Sequence, residues 1–217
     1  MKLVVGLGNP GSQYVGTRHN VGFDVIDAVS AARGGGSARK KFNGEVCEIV
    51  VGAERVMLLK PLTFMNLSGG SVLAARDFHK LAAEDVLVIC DDMNLPLGRL
   101  RVRANGSAGG QKGLADIIQR LGTDAVPRLR LGVGQPAAGR DAVGHVLGKF
   151  APDEKPAVEA AVAKATAATI EWIERGIVNC MNKYNVDEGS GKKPKDSSRK
   201  TESPARDEDG PAEKAAK

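Results

Sequence analysis

Residues 2–11 read KLVVGLGNPG, and this stretch sets the fold class of the chain. The apolar run Leu3–Val5 is typical of a short buried strand, which the following glycines end. Gly6, Gly8 and Gly11 also fit the G-x-G-x-x-G spacing of a dinucleotide-binding loop, although that spacing is common. The residues around the glycines decide between these interpretations.

The surroundings argue against a dinucleotide site. Such a site needs a helix that begins inside the loop, so that its N-terminus faces the pyrophosphate. Here Pro10 lies within the loop, and helical periodicity begins only near Val21. We therefore interpret the glycines as a tight turn that presents Asn9 at the carboxyl edge of a sheet. A nucleotide-dependent oxidoreductase is the weaker alternative, and a clear rise in melting temperature with NAD would restore it.

Strands and helices alternate along the chain before residue 187. Hydrophobic periodicity predicts helices around residues 21–29, 69–82, 113–121 and 158–173, and strands at 3–5, 45–51, 55–60, 86–90, 99–103 and 129–133. This alternation indicates an α/β fold with a single globular domain, in which a mixed, twisted β-sheet is flanked by helices.

The charge of the chain is unevenly distributed. Residues 187–217 contain no Ile, Leu, Val, Met or aromatic residue, and their eight basic and eight acidic side chains cancel. Because this composition buries too little apolar surface to offset chain entropy, we predict a globular domain at 1–186 and a disordered charged tail at 187–217. The net charge of +5 therefore belongs to the domain and indicates an anionic partner.

Several classes of protein are disfavoured by the composition. No apolar run approaches the roughly 18 residues of a membrane helix, and no signal-peptide pattern is present. Cys47, Cys90 and Cys180 are far apart and odd in number, so we expect buried free thiols in a reducing compartment. No Cys/His spacing suggests a metal. We expect a cytoplasmic protein that does not bind membranes.

Polar residues recur just after the predicted strands. Asn9 follows the first strand, Asn66 the third, and Asp91 the fourth, while His19 lies just before the first helix. Because ligand sites in open α/β sheets form at the carboxyl ends of the strands, we expect these groups to gather there.

These residue types suit proton transfer. His19 can act as a base near neutral pH, and Asp91 can hold its imidazole in one tautomer. Asn9 and Asn66 can orient water or substrate. Each residue also has an ordinary structural explanation, as a core histidine, a capping carboxylate or turn asparagines. Because no nucleophile elbow or activated cysteine is present, water is the expected nucleophile.

Two features favour an anionic ligand. The alternation in Arg99–Arg103 places three arginines on one strand face. The loop Gly106–Gly113 leads into a helix, where backbone N–H groups and Lys112 suit a phosphate or a developing negative charge. Arg128 and Arg130 can extend this patch, although an ordinary solvated basic face explains the charges as well. Because aromatic residues make up only 4%, phosphate contacts are favoured over stacked bases.

Five segments resemble, in order and spacing, the motifs of the bacterial-type peptidyl-tRNA hydrolase family. They are VVGLGNPGSQYVGTRHNVGF (4–23), KPLTFMNLSG (60–69), DDMNLPLGRLRVR (91–103), GSAGGQKGLADII (106–118) and PRLRLGVGQP (127–136). The resemblance covers about residues 1–184. It implies a monomer, without metal or organic cofactor, that hydrolyses the ester joining a peptide to the 3′-terminal ribose of tRNA. Such an enzyme recycles tRNA from peptidyl-tRNA dropped by ribosomes.

The resemblance also implies roles for single residues. His19 corresponds to the catalytic base and Asp91 to its partner, Tyr14 to a contact with the tRNA 3′ end, and Arg103 and Arg130 to phosphate contacts. The full set implied in binding substrate, water or tRNA is Asn9, Tyr14, Phe64, Asn66, Arg103, Lys112 and Arg130.

Gln111-Lys112 departs from the family, which commonly has His-Asn at this point. A lysine donates hydrogen bonds but cannot accept one as an amide does, so Lys112 either takes over a tRNA or oxyanion contact or lowers activity. A non-catalytic RNA-binding protein is the second alternative, because chloroplast splicing factors are similar to this family. The joint presence of His19, Asp91 and the two asparagines favours the enzyme.

Overall fold

The computed structural model describes residues 1–136, 139 and 141–186. The strands of the described part are β1 (Lys2–Gly6), β2 (Arg39–Lys41), β3 (Gly44–Val51), β4 (Glu54–Pro61), β5 (Val86–Asp92), β6 (Leu100–Arg103) and β7 (Arg128–Gly132). The α-helices are α1 (Val21–Ala32), α2 (Ser68–His79), α3 (Lys112–Leu121), α4 (Ala142–Leu147) and α5 (Lys155–Tyr184). Residues 1–186 form one compact unit, and the tail predicted at 187–217 lies outside the described residues.

The strands form one sheet in the order β2-β3-β4-β1-β5-β7-β6. The central pairs β1–β4, β1–β5 and β5–β7 are parallel, whereas β2–β3, β3–β4 and β6–β7 are antiparallel. The predicted α/β class with a mixed sheet is therefore confirmed. The carboxyl ends of β1, β4, β5 and β7 all lie at one edge, as parallel pairing requires.

Two hydrophobic layers cover the faces of the sheet. Val4 of β1 packs in one layer with Val25 of α1 and Trp172 of α5, whereas Leu3 packs in the other with Leu114 of α3. Alternate side chains of a strand point to opposite faces, so the buried strand β1 supplies both layers.

The glycines of the opening stretch serve close packing more than turning. A Cβ on Gly6 would lie 2.2 Å from the carbonyl oxygen of Gly22, and one on Gly8 would lie 2.9 Å from the ring of Phe23. Among the three glycines only Gly11 has a positive φ, at 116°. The turn interpretation therefore holds for Gly11 alone, because Gly6 and Gly8 let α1 approach β1 closely.

Several predicted boundaries were wrong. Strand β5 continues through Asp91 and Asp92, which pair with β7 rather than follow the strand. Helix α2 ends at His79, before Lys80 in the left-handed region, and α5 is interrupted at Gly176, with φ 78° and ψ 176°. Strand β2 and helix α4 were not predicted, because a charged tripeptide and a six-residue helix carry little periodicity.

The outer edge of β6 is covered by a side chain. The carboxamide of Asn185 accepts a hydrogen bond from the Val102 N–H at 2.8 Å and donates one to the Val102 carbonyl oxygen at 2.9 Å. This pair of bonds imitates the contact that a further strand would make.

Candidate active site

A cleft of about 490 Å³ opens at the carboxyl edge of β1 and β5. One wall is polar, and the other is formed by Phe64, Met93 and the apolar face of α4. The residues that line the cleft are Asn9, His19, Phe64, Met65, Asn66, Asp91, Asp92, Met93, Asn94, Gly109, Gly110, Gln111, Lys112, Arg130, Ala142, Val143, Val146 and Leu147. The predicted groups Asn9, His19, Asn66 and Asp91 are thus brought together.

The centre of the polar wall is a histidine–carboxylate pair. Nδ1 of His19 lies 2.8 Å from Oδ2 of Asp91, and their side chains are only 13% and 4% exposed. No described residue hydrogen-bonds to Nε2 of His19, so this nitrogen is available to a molecule in the cleft. The pair joins the short turn before α1 to the end of β5.

The loop that carries Asn9 is held by two carboxamides. Asn20 accepts from the Asn9 N–H at 2.9 Å and donates to the Asn9 carbonyl at 3.0 Å. The side-chain oxygen of Asn9 accepts from the Met65 N–H at 2.8 Å. Because the carbonyl end is engaged in this way, the NH₂ group of Asn9 is left to face the cleft.

Gln111 also contacts this pair, a role that the sequence did not suggest. Its Nε2 lies 3.2 Å from Oδ1 of Asp91, and its Oε1 accepts from the Leu114 N–H at 2.7 Å. Only the departure from the family pattern drew attention to this position.

The arginines of the predicted anion patch separate into two groups. Arg101 and Arg103 are exposed on β6, whereas Arg128 and Arg130 are buried. Arg130 binds Asp92 at 3.0 Å and the Ser107 carbonyl at 3.0 Å, and within the described part of the chain Arg128 donates only to backbone carbonyls. The expectation that Arg128 extends a surface patch was wrong. Its guanidinium is buried and donates hydrogen bonds to the loop that begins at Gly106 and to the segment before β7.

The other predicted binding residues lie at the surface. Phe64 and Asn66 are exposed at the rim of the cleft, and Lys112 is exposed at the first position of α3. Tyr14 is half-buried and lies outside the set that lines the cleft.

Three features of the described residues bear on other chemistries. No group of three or more His, Cys, Asp or Glu side chains there could hold a metal ion. Cys47, Cys90 and Cys180 are free and buried, and burial raises the pKa of the Cys90 thiol to about 12. None of the helices in this part of the chain has the length and apolar character to cross a membrane.

A histidine paired with a carboxylate at the sheet edge of an α/β fold is suited to general acid–base catalysis, which places the chain among candidate enzymes. A family model described as peptidyl-tRNA hydrolase matches residues 3–195. The chain therefore belongs to the peptidyl-tRNA hydrolase family, a family of ester hydrolases, and the resemblance seen in its motifs is confirmed.

Individual relatives agree with this assignment. The peptidyl-tRNA hydrolase of Rhodopirellula baltica is 50% identical over 190 residues, which cover 88% of this chain and 100% of the relative. That of Desulforamulus reducens is 48% identical over 185 residues, covering 85% and 89%. The crystal structure of the Acinetobacter baumannii enzyme is 34% identical, with a TM-score of 0.79 over 86% of this chain and 95% of that one.

Proposed function

We propose that this chain hydrolyses the ester bond of peptidyl-tRNA with a water molecule activated by His19 and Asp91. Family membership supports the reaction, and one observation supports the mechanism. This observation is the 2.8 Å contact between Nδ1 of His19 and Oδ2 of Asp91, which leaves Nε2 toward the cleft.

The chemical steps follow from this geometry. Asp91 accepts the Nδ1–H hydrogen bond, so Nε2 is the unprotonated nitrogen and takes a proton from water. The resulting hydroxide attacks the ester carbonyl and forms a tetrahedral intermediate. When the intermediate collapses, the ribose oxygen leaves and receives the proton from the His19 imidazolium. The products are a tRNA with a free terminal hydroxyl and a peptide carboxylic acid, which releases its proton to the solvent and becomes a carboxylate.

Other groups are suited to the charge that develops on the carbonyl oxygen. The NH₂ of Asn9, whose side-chain oxygen is held by the Met65 N–H, is a candidate for orienting water or substrate. At the start of α3 the exposed Lys112 lines the cleft, and its ammonium, together with the positive end of the helix dipole, can stabilise an oxyanion or a phosphate. Phe64 and Asn66 at the rim are proposed to contact the substrate.

The tRNA itself is proposed to bind through exposed cations, with Arg103 on phosphates and Tyr14 near the 3′ end. Because Arg130 is buried against Asp92, its proposed contribution is to hold the loop that follows β6, with any phosphate contact coming second. A monomer that works in the cytoplasm and recycles tRNA from peptidyl-tRNA dropped by ribosomes fits this function, and these points stay predictions.

The test is release of N-blocked peptide from peptidyl-tRNA by the wild type and by His19→Ala. We expect hydrolysis by the wild type and loss of about 10³-fold or more in the variant, with tRNA binding and melting temperature retained. A folded wild type that binds tRNA but releases no peptide would instead support a non-catalytic RNA-binding protein.

A further inference from the structure

Gln111 is a buried side chain with both ends of its carboxamide engaged. It is 7% exposed and occupies the N-cap position of α3, where its Oε1 accepts from the Leu114 N–H at 2.7 Å. A backbone N–H can only donate, so the atom that faces it must be the amide oxygen. The NH₂ group must then face Asp91.

Asp91 therefore has a partner on each oxygen. Oδ2 faces Nδ1 of His19 at 2.8 Å, and Oδ1 lies 3.2 Å from Nε2 of Gln111. A carboxyl group turns easily about its terminal torsion when only one oxygen is bound. With both oxygens held, the plane of the carboxylate is fixed relative to the imidazole.

The surroundings of Gln111 leave its side chain little freedom. Its Nε2 also lies 3.1 Å from Sδ of Met65, the residue whose N–H holds the Asn9 side chain. A Cβ on the neighbouring Gly113 would lie 2.6 Å from the same sulfur, so the start of α3 packs tightly on Met65. The Gln111 carboxamide thus links the N-terminus of α3 to Asp91 by hydrogen bonds, and its contact with Met65 restricts its movement.

We propose that Gln111 is a positioning residue for hydrolysis, which fixes Asp91 in the orientation that His19 requires and withdraws part of its negative charge. The proposal rests on the proposed roles of His19 and Asp91. A donor on Oδ1 shares the negative charge of the carboxylate with the Gln111 amide and leaves Oδ2 directed at Nδ1 of His19. The imidazole is thereby kept in the orientation that leaves Nε2 free to accept a proton.

Two substitutions separate this role from helix capping. Gln111→Ser keeps a good capping acceptor but is too short to reach Asp91. Gln111→Glu keeps the length and the capping oxygen, but replaces the donor with a second carboxylate. Gln119→Glu makes the same chemical change on the exposed face of α3 and serves as the matched control.

We expect kcat to fall about tenfold in Gln111→Ser and further in Gln111→Glu, with KM within about twofold of the wild type. In Gln111→Glu the acid limb of the plot of kcat against pH should move to higher pH by about half a unit or more, because the added negative charge stabilises the imidazolium. Gln119→Glu should match the wild type in both. Wild-type kcat and pH profiles in both Gln111 variants would overturn the proposal, as would a loss confined to KM or to melting temperature.

An NMR titration of the His19 ring distinguishes failure of this proposal from failure of the proposed function. Its midpoint should move to higher pH in Gln111→Glu but not in Gln119→Glu, whether or not the wild type releases peptide. An unmoved midpoint contradicts the contact between Gln111 and Asp91. A moved midpoint in a protein that releases no peptide upholds the contact and rejects the hydrolytic function.

Discussion

The two walls of the cleft differ in how firmly their side chains are held. On the polar wall Asn9, His19, Asp91 and Gln111 are largely buried, and each is fixed by at least one hydrogen bond to another element. On the apolar wall and the rim burial is less complete, since Phe64 is 58% and Val143 51% exposed, although Val146 is only 8% exposed. We infer that the first wall provides fixed geometry for bond breaking, whereas the second adapts to a substrate of variable shape.

The comparison is tested most severely at the buried pair. Asp91→Asn should lower kcat by about 10³-fold, because an amide cannot serve as the negatively charged acceptor that orients and stabilises the His19 ring. Single-turnover release of peptide at saturating enzyme measures this step. A fall of less than tenfold in a folded variant would show that the fixed wall does not carry the chemistry.

A smaller effect is expected at the residue that holds the Asn9 loop. Asn20→Ala leaves the buried N–H and carbonyl of Asn9 without partners, which should lower the free energy of unfolding by about 1–3 kcal/mol. Since the NH₂ of Asn9 is then mispositioned, kcat should also fall by about tenfold or more. Urea unfolding and the peptide-release assay measure the two effects. Unchanged kcat despite lost stability would separate Asn9 from the reaction.

Substitutions on the open side should act on binding instead. Lys112→Ala is expected to raise KM several-fold, which corresponds to a loss of about 1 kcal/mol of binding free energy. It should also reduce the slope of log K against log salt for tRNA binding by about one. Lys112→Arg preserves the charge and serves as the control. If Lys112→Ala lowers kcat at saturating substrate and leaves KM unchanged, the ammonium belongs to the fixed, chemical half of the site.

Asp24 of α1 is a test site outside both walls. Burial, followed by the charge of Asp27, raises the pKa of its carboxyl to about 6. The folded state therefore holds this proton more tightly than the unfolded chain, and stability falls as pH rises from about 4 to 6. Above pH 6, Asp24→Asn should raise the free energy of unfolding by about 1–2 kcal/mol and should raise the melting temperature with it. Below pH 4 it should change neither. Peptide release by Asp24→Asn should match that of the wild type. A loss of activity would show that the fixed geometry needed for the reaction includes α1.

The sequence predicted the sheet, and it predicted which polar groups would share its edge. Short apolar runs marked β1 and β5, strand-like segments marked β3, β4 and β7, and strict alternation marked β6. Parallel strands must bring their carboxyl ends together. The same rule placed Asn9 and Asp91 near His19. The roles of the individual residues stay predictions.

What the sequence could not predict depends on tertiary contacts. Arg128 and Arg130 have the pattern of exposed cations, yet β7 is covered by its neighbours, and their donors are satisfied by carbonyls and Asp92. Gln111 looked like a departure from a motif, because its link to Asp91 exists only once α3 is docked. Apolar spacing predicted the last helix only over 158–173, whereas α5 continues past an interruption at Gly176 to Tyr184.

The carboxamide of Asn185 on β6 bears on how this chain behaves in a crowded solution. An unpaired strand edge is a template on which another polypeptide can add, and repeated addition leads to fibrils. The two hydrogen bonds with Asn185 occupy the backbone groups of Val102 at the middle of this edge. The exposed side chains of Arg101 and Arg103 place positive charge on either side of it. Shortening the chain to end before residue 185 would therefore leave the domain's core intact but make it prone to self-association through β6.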